Sequence, residues 1–70
     1  MKISARNQLP ATVTNVHLGE VMAEVDLTLD GGQRVVAAIT AESARTLALE
    51  PGRKVVAVIK STEVMIGVED

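Results

Sequence analysis

The 70-residue chain predicts an all-β domain: a five-stranded OB-fold-like barrel with one short helix between strands three and four. Three observations carry this reading. Val21, Ala23, Val25, Leu27 and Leu29 alternate with Met22, Glu24, Asp26, Thr28 and Asp30, the period of a half-buried strand. The alternation ends at Asp30-Gly31-Gly32, a hairpin signal because glycine takes positive φ without steric cost. Between the third and fourth apolar runs, the segment Thr40 to Leu49 loses the period of two and spaces Ala44, Leu47 and Ala48 as a short helical stripe. Strands and helix in that order match an OB-fold barrel, and closure of the sheet hides strand edges. A five-stranded sheet with the helix on one face fits the same order.

Each element follows from its residues. Leu9, Ala11 and Val13 alternate ahead of the turn at His17-Leu18-Gly19-Glu20, so strand one is expected from Ile3 to Val16. Pro10 lacks an N–H, which assigns it to an edge or an otherwise unpaired position. After the hairpin, strand three spans Gln33 to Thr40, with Val35-Val36-Ala37-Ala38-Ile39 apolar on both faces. Thr40 is the expected N-cap of a helix of about two turns, Glu42 suits its first turn, and Glu50-Pro51-Gly52 closes it. Strand four spans Arg53 to Lys60, and its run Val55 to Ile59 predicts burial on both faces. Ser61-Thr62-Glu63 turns the chain into a last strand, Val64 to Val68. Residues 1–70 form a single unit without linker, repeat or low-complexity tract.

Composition narrows the function. Aliphatic residues and Met make up 47% of the chain, and there is no Phe, Tyr, Trp or Cys. A chain of this length hides only about 60% of the surface its unfolded form exposes. Small domains compensate with disulfides, a structural metal, large aromatics or a partner chain. Disulfides are impossible here, and His17 as the lone His does not make a structural zinc site. Self-association remains. The formal net charge of −2 is not the basic field of a nucleic-acid or anionic-membrane binder. OB-folds hold single strands by stacking bases on aromatic side chains in a basic groove, and both terms are missing, so no nucleic-acid partner is expected. The N-terminus has no apolar signal-peptide core and no apolar run approaches a membrane span, so the expected location is cytoplasmic.

Enzymatic constellations are absent. His17, the necessary base of a Ser-His-acid triad, lies beside a glycine turn, and Gly31-Gly32 lacks the following Gly-Lys-Ser/Thr of a phosphate loop. The acidic residues stand mostly singly at outward strand positions. No catalytic residue and no metal ligand is assigned. Polar residues at strand ends say more. Ser4, Arg6 and Asn7 precede the apolar part of strand one, Lys60 and Ser61 end strand four, and Thr40 and Ser43 flank a helix start. Arg, Lys, hydroxyls and unpaired N–H groups are the donors that a small oxyanion needs. Capping explains Thr40 equally well, and Arg6 and Lys60 read equally as solvated charges.

Four stretches add a resemblance. Lys2-Ile3-Ser4-Ala5-Arg6-Asn7-Gln8-Leu9, Ala23-Glu24-Val25, Asp30-Gly31-Gly32, and Ala57 to Ile66 (AVIKSTEVMI) resemble, in order and spacing, the molbindins, small Mop-type molybdate- and tungstate-binding proteins. The resemblance spans nearly the whole chain. It implies an OB-like barrel, a homohexamer built as a trimer of dimers, and molybdate or tungstate held between subunits as the oxyanion, with no further cofactor. Residue by residue, it implies donors at Ser4 and Arg6 with the N–H groups of Ala5 and Asn7, and at Lys60 and Ser61. It further implies Ser43, with Thr40 nearby, as a neighbouring subunit's contribution. The chain departs from the family pattern at Pro10-Ala11, where Lys-Gly is usual, and at Ala48, where a Gly usually follows the helix. The task implied is storage or buffering. A structural interaction module whose oligomer serves another protein is the alternative that composition leaves open.

Overall fold

A computed structural model describes residues 1–70. It is built around β1 (Asn7–Leu18), which is long enough to serve two neighbours. Its first half, Asn7 to Thr12, pairs antiparallel with β4 (Lys54–Ile59), and Ala11 to Leu18 pairs antiparallel with β2 (Met22–Leu29). β3 (Arg34–Thr40) then pairs with β2, giving the order β3-β2-β1-β4. The sheet curls into a half-barrel whose edges are β3 and β4.

Two local features set the geometry of β1. Its register with β2 shifts between Val13 and Asn15, a bulge that leaves Thr14 as the extra residue. Beyond it Val16 opposes Val25 and His17 opposes Glu24. Pro10 sits in a central strand, yet costs the ladder no donor. Its carbonyl accepts from the Asp30 N–H at 3.1 Å, so that side of the residue faces the β2–β3 turn, beyond the last β1–β2 rung at Ala11 and Leu29. A missing N–H there is harmless, as expected for an unpaired strand position.

Alternation builds the core. Ala11 and Val13 of β1, Val25 and Leu27 of β2, and Ala57 of β4 form a buried cluster. Buried residues number 8 of 70, and most are Ala, so the interior of one copy is small.

Helix α1 (Ala41–Thr46) lies between β3 and β4 as expected and is shorter than the stripe suggests. The Thr40 hydroxyl accepts from the Ser43 N–H at 3.0 Å, satisfying one of the unpaired donors of the first turn. At the other end the Ala48 N–H donates to the Arg45 carbonyl and the Leu49 N–H to the Ala44 carbonyl. That is the paired bonding of a Schellman cap. It requires a left-handed residue, and Ala48 supplies it at φ 53°.

Three expectations need correction. The sheet has four strands, not five. After β4 the chain makes a 3-10 turn (Ser61–Glu63), and Val64 to Val68 joins no ladder, because the turn carries it away from its own sheet edge. β1 begins at Asn7 rather than Ile3, since Ile59 is its last partner on β4. Finally, β3 and β4 are covered on one face only. Val36, Val56 and Val58 are 62%, 46% and 39% exposed, because both strands are sheet edges and no other element of the chain packs outside them.

Candidate functional site

The first rung of the β1–β4 ladder assembles the site. Asn7 opposes Ile59, and the Asn7 Nδ2 amide donates to the Ile59 carbonyl at 3.1 Å. The residues just before Asn7 and just after Ile59 therefore emerge side by side. Gln8 Nε2 donates back to the Ala5 carbonyl at 2.8 Å, turning the N-terminal segment over the end of the sheet. Lys60 is the N-cap residue of the 3-10 turn and keeps extended backbone, φ −63° and ψ 132°.

Between the two segments lies an open cleft of about 470 Å³, lined by Ile3, Ser4, Ala5, Arg6, Val58, Lys60, Ser61 and Thr62. It holds two cations and three hydroxyls, and no carboxylate lines it. The backbone N–H groups of Ser4, Ala5 and Arg6, and those of Lys60, Ser61 and Thr62, donate to no acceptor within the chain. Such groups are obligatory donors. Arg presents a planar fork and Lys a point charge, so the set offers both directional and adaptable donation to an anion. All of the cleft's polar side chains are exposed.

The structure thus brings Ser4, Ala5, Arg6, Lys60 and Ser61 together. Asn7 adjoins the cleft without lining it, and its amide is committed to Ile59. Thr40 and Ser43 lie away from the cleft at the start of α1, where the Thr40 hydroxyl also donates to Ser43 Oγ at 2.7 Å. Thr62 also lines the cleft, a residue outside the expected donor set whose sequence signal is a second hydroxyl in the same turn as Ser61. Ile3 and Val58 supply the cleft's apolar wall.

A separate polar cluster occupies the outer face beyond the bulge. His17 Nε2 stands 3.5 Å from Asp26 Oδ2, and the ligand atoms of His17, Glu24 and Asp26 all lie within 4.8 Å of one another. Cross-strand pairing accounts for it: His17 faces Glu24 directly, and the bulge brings Asp26 opposite Asn15.

The sequence matches the family model described as TOBE domain over residues 3–66. The chain belongs to the TOBE domain family. Its relatives place it in the Mop-type, or molbindin, branch. Molybdenum-pterin-binding protein 3 of Clostridium pasteurianum is 48% identical over 66 residues, covering 94% of this chain and 97% of its own length. This TOBE domain superposes with a TM-score of 0.91 on a molybdate-binding protein from Sporomusa ovata, at 46% identity and covering 97% and 100% of the two chains. The cytoplasmic molybdate-binding protein ModG, solved with molybdate bound, matches at 52% identity and a TM-score of 0.84 over 87% of this chain and 43% of ModG. No helix of this TOBE domain is long and apolar enough to cross a membrane.

Proposed function

We propose that this chain is a non-catalytic cytoplasmic binder of molybdate and tungstate, acting in storage or buffering, with its sites completed between subunits of a homohexamer arranged as a trimer of dimers. One observation carries the reading: Arg6 and Lys60 meet in a cleft of hydroxyls and unpaired N–H groups without an acidic side chain. The names of the relatives support molybdate as the ligand. The incompleteness of the cleft supports a shared site. At about 470 Å³ and open to solvent, it is far roomier than one tetrahedral oxyanion requires, so a second surface has to close it. Ser43, which stands apart from the cleft in its own chain, is the donor we assign to the neighbouring subunit, its hydroxyl hydrogen left free while Thr40 donates to its Oγ and holds it in place.

Selectivity follows from the donor set. Molybdate is a dianion without a proton at neutral pH and needs only donors. Monohydrogen phosphate carries a proton that wants an acceptor, and no side chain here offers a carboxylate. Sulfate has the right charge and is smaller, so it leaves some donors unpaired, at about 1–3 kcal/mol for each stranded buried group. Molybdate and tungstate differ little in size and are expected to compete closely.

Isothermal titration of anion-free protein tests this reading. Molybdate is expected to release heat at a saturable site, with sulfate and phosphate much weaker. Arg6→Ala and Lys60→Ala are each expected to weaken molybdate binding by more than about fivefold, the equivalent of about 1 kcal/mol. No heat with molybdate, equal affinity for all three anions, or unchanged affinity in both variants would refute it. A stoichiometric partner protein in place of bound molybdenum would favour the interaction-module alternative.

A further inference from the structure

The bulge in β1 decides which face His17 occupies. Ala11 and Val13 are buried, so odd-numbered residues of β1 point to the core up to that point. Continued at a period of two, the pattern would send His17 to the core face. The extra residue at the bulge reverses it: Val16 now opposes Val25, and His17 joins Glu24 on the outer face. Asp26 lies two residues along β2 from Glu24 and shares that face. The ligand atoms of the three side chains lie within 4.8 Å of one another.

No cationic side chain compensates the two carboxylates. On β3, Glu24 opposes Ala38 and Asp26 opposes Val36. On β1, Asp26 opposes Asn15, whose Oδ1 already accepts from the Val16 N–H. No Lys or Arg nitrogen comes within pairing distance of Glu24 or Asp26, and the one basic atom beside them is His17 Nε2, 3.5 Å from Asp26 Oδ2. Two like charges held side by side with a neutral imidazole are an arrangement that a cation completes.

We propose that His17, Glu24 and Asp26 bind one zinc-class divalent cation in each chain. The imidazole selects zinc, cobalt, nickel or copper over calcium and magnesium, which take oxygen ligands. Ligands held at about 2.0–2.1 Å from a tetrahedral ion stand about 3.3 Å apart. The observed spacing closes to that value by side-chain rotation, since His17 and Glu24 are exposed. Three protein ligands leave a further position for water. Both β1 and β2 are interior strands, paired on each side, so the backbone that carries the ligands is fixed. The anion cleft lies at the opposite end of β1, before Asn7, and the inference stands independently of what that cleft binds.

His17 is the only His and there is no Cys, so a signal that depends on imidazole comes from no other residue. The full chain without an affinity tag, stripped of metal by a chelator and kept free of molybdate, is titrated with zinc chloride by calorimetry and with cobalt(II) chloride by visible absorption. One ion per chain is expected. His17→Ala and Asp26→Asn are each expected to weaken zinc binding by at least about tenfold, the scale that even outer-shell partners of a metal ligand carry, and to lose the cobalt spectrum. Circular dichroism checks that both variants keep the fold. No saturable zinc binding, or unchanged zinc affinity in His17→Ala, would overturn the inference. Displacement of the cobalt by an equal concentration of calcium chloride would overturn it too, because it marks a site made of carboxylates alone.

Discussion

Ala48 is the residue whose replacement should improve this protein. It holds the left-handed position of the α1 C-cap at φ 53°, where two hydrogen bonds, to the carbonyls of Arg45 and Ala44, depend on that conformation. A side chain with a Cβ pays about 1–2 kcal/mol there, because Cβ crowds the following carbonyl. Glycine avoids that cost but surrenders about 0.4–1 kcal/mol through the greater freedom of its unfolded chain. Ala48→Gly is therefore expected to stabilise the fold by about 0.8 kcal/mol, the difference between the midpoints of those two ranges. Ala48→Val should destabilise it, since a β-branched residue fits the left-handed region worst. Urea unfolding at one fixed protein concentration measures both, because association would otherwise shift the midpoint. The midpoint should rise for the glycine variant with an unchanged slope, and molybdate affinity should stay the same, since Ala48 lies outside the cleft. An unmoved or lowered midpoint in Ala48→Gly would show that the strain assigned to this residue does not exist.

Two further perturbations probe the fold around the site. Thr40→Ala removes the hydroxyl that accepts from the Ser43 N–H and should cost about 1 kcal/mol of stability in urea unfolding; a loss confined to anion affinity would reassign Thr40 from cap to ligand donor alone. Val13→Ala trims a side chain that is 1% exposed and should cost about 2 kcal/mol, combining two lost methyl groups with the cavity they leave, as read from the urea midpoint.

The legible parts of this fold were those in which one chain satisfies itself. The Val21–Leu29 alternation, the Asp30-Gly31-Gly32 hairpin and the Thr40 cap are local, and each reappears with boundaries shifted by a residue or two. The run at 55–59 reads as doubly buried and the run at 35–39 as apolar on both faces, because their composition is that of buried strands, yet one copy covers only one face of each. The same reason removes the fifth strand: Val64 to Val68 has the composition of a strand but no edge within its own chain that it reaches. The bulge at Thr14 left no sequence signal, since only tertiary pairing shows which residue is the extra one. The site was legible as residue types at strand ends, and its geometry was not. It took the Asn7–Ile59 rung to bring positions 4–6 and 60–62 to one place.

That rung sets the cleft beside the apolar edge of β4. The cleft's donors lie just outside β1 and β4, where the backbone has no ladder to join, so their N–H groups stay available to an anion. The same chain ends lead directly into the apolar segment Val64 to Val68, while β4 presents an apolar edge only a few residues away. Under the proposed function a neighbouring chain on the edge of β4 would pass close to Lys60, and a ligand held there would contact both chains. Under the proposed function an anion bound between two chains stabilises the assembled form by mass action, and a shortage of interior in one copy becomes the reason for sharing the site. Aromatic side chains could have filled the half-barrel from within and left each chain independent. With small aliphatic residues in their place, the half-barrel stays open along β3 and β4 in one copy, and under the proposed function its closure falls to a neighbouring copy.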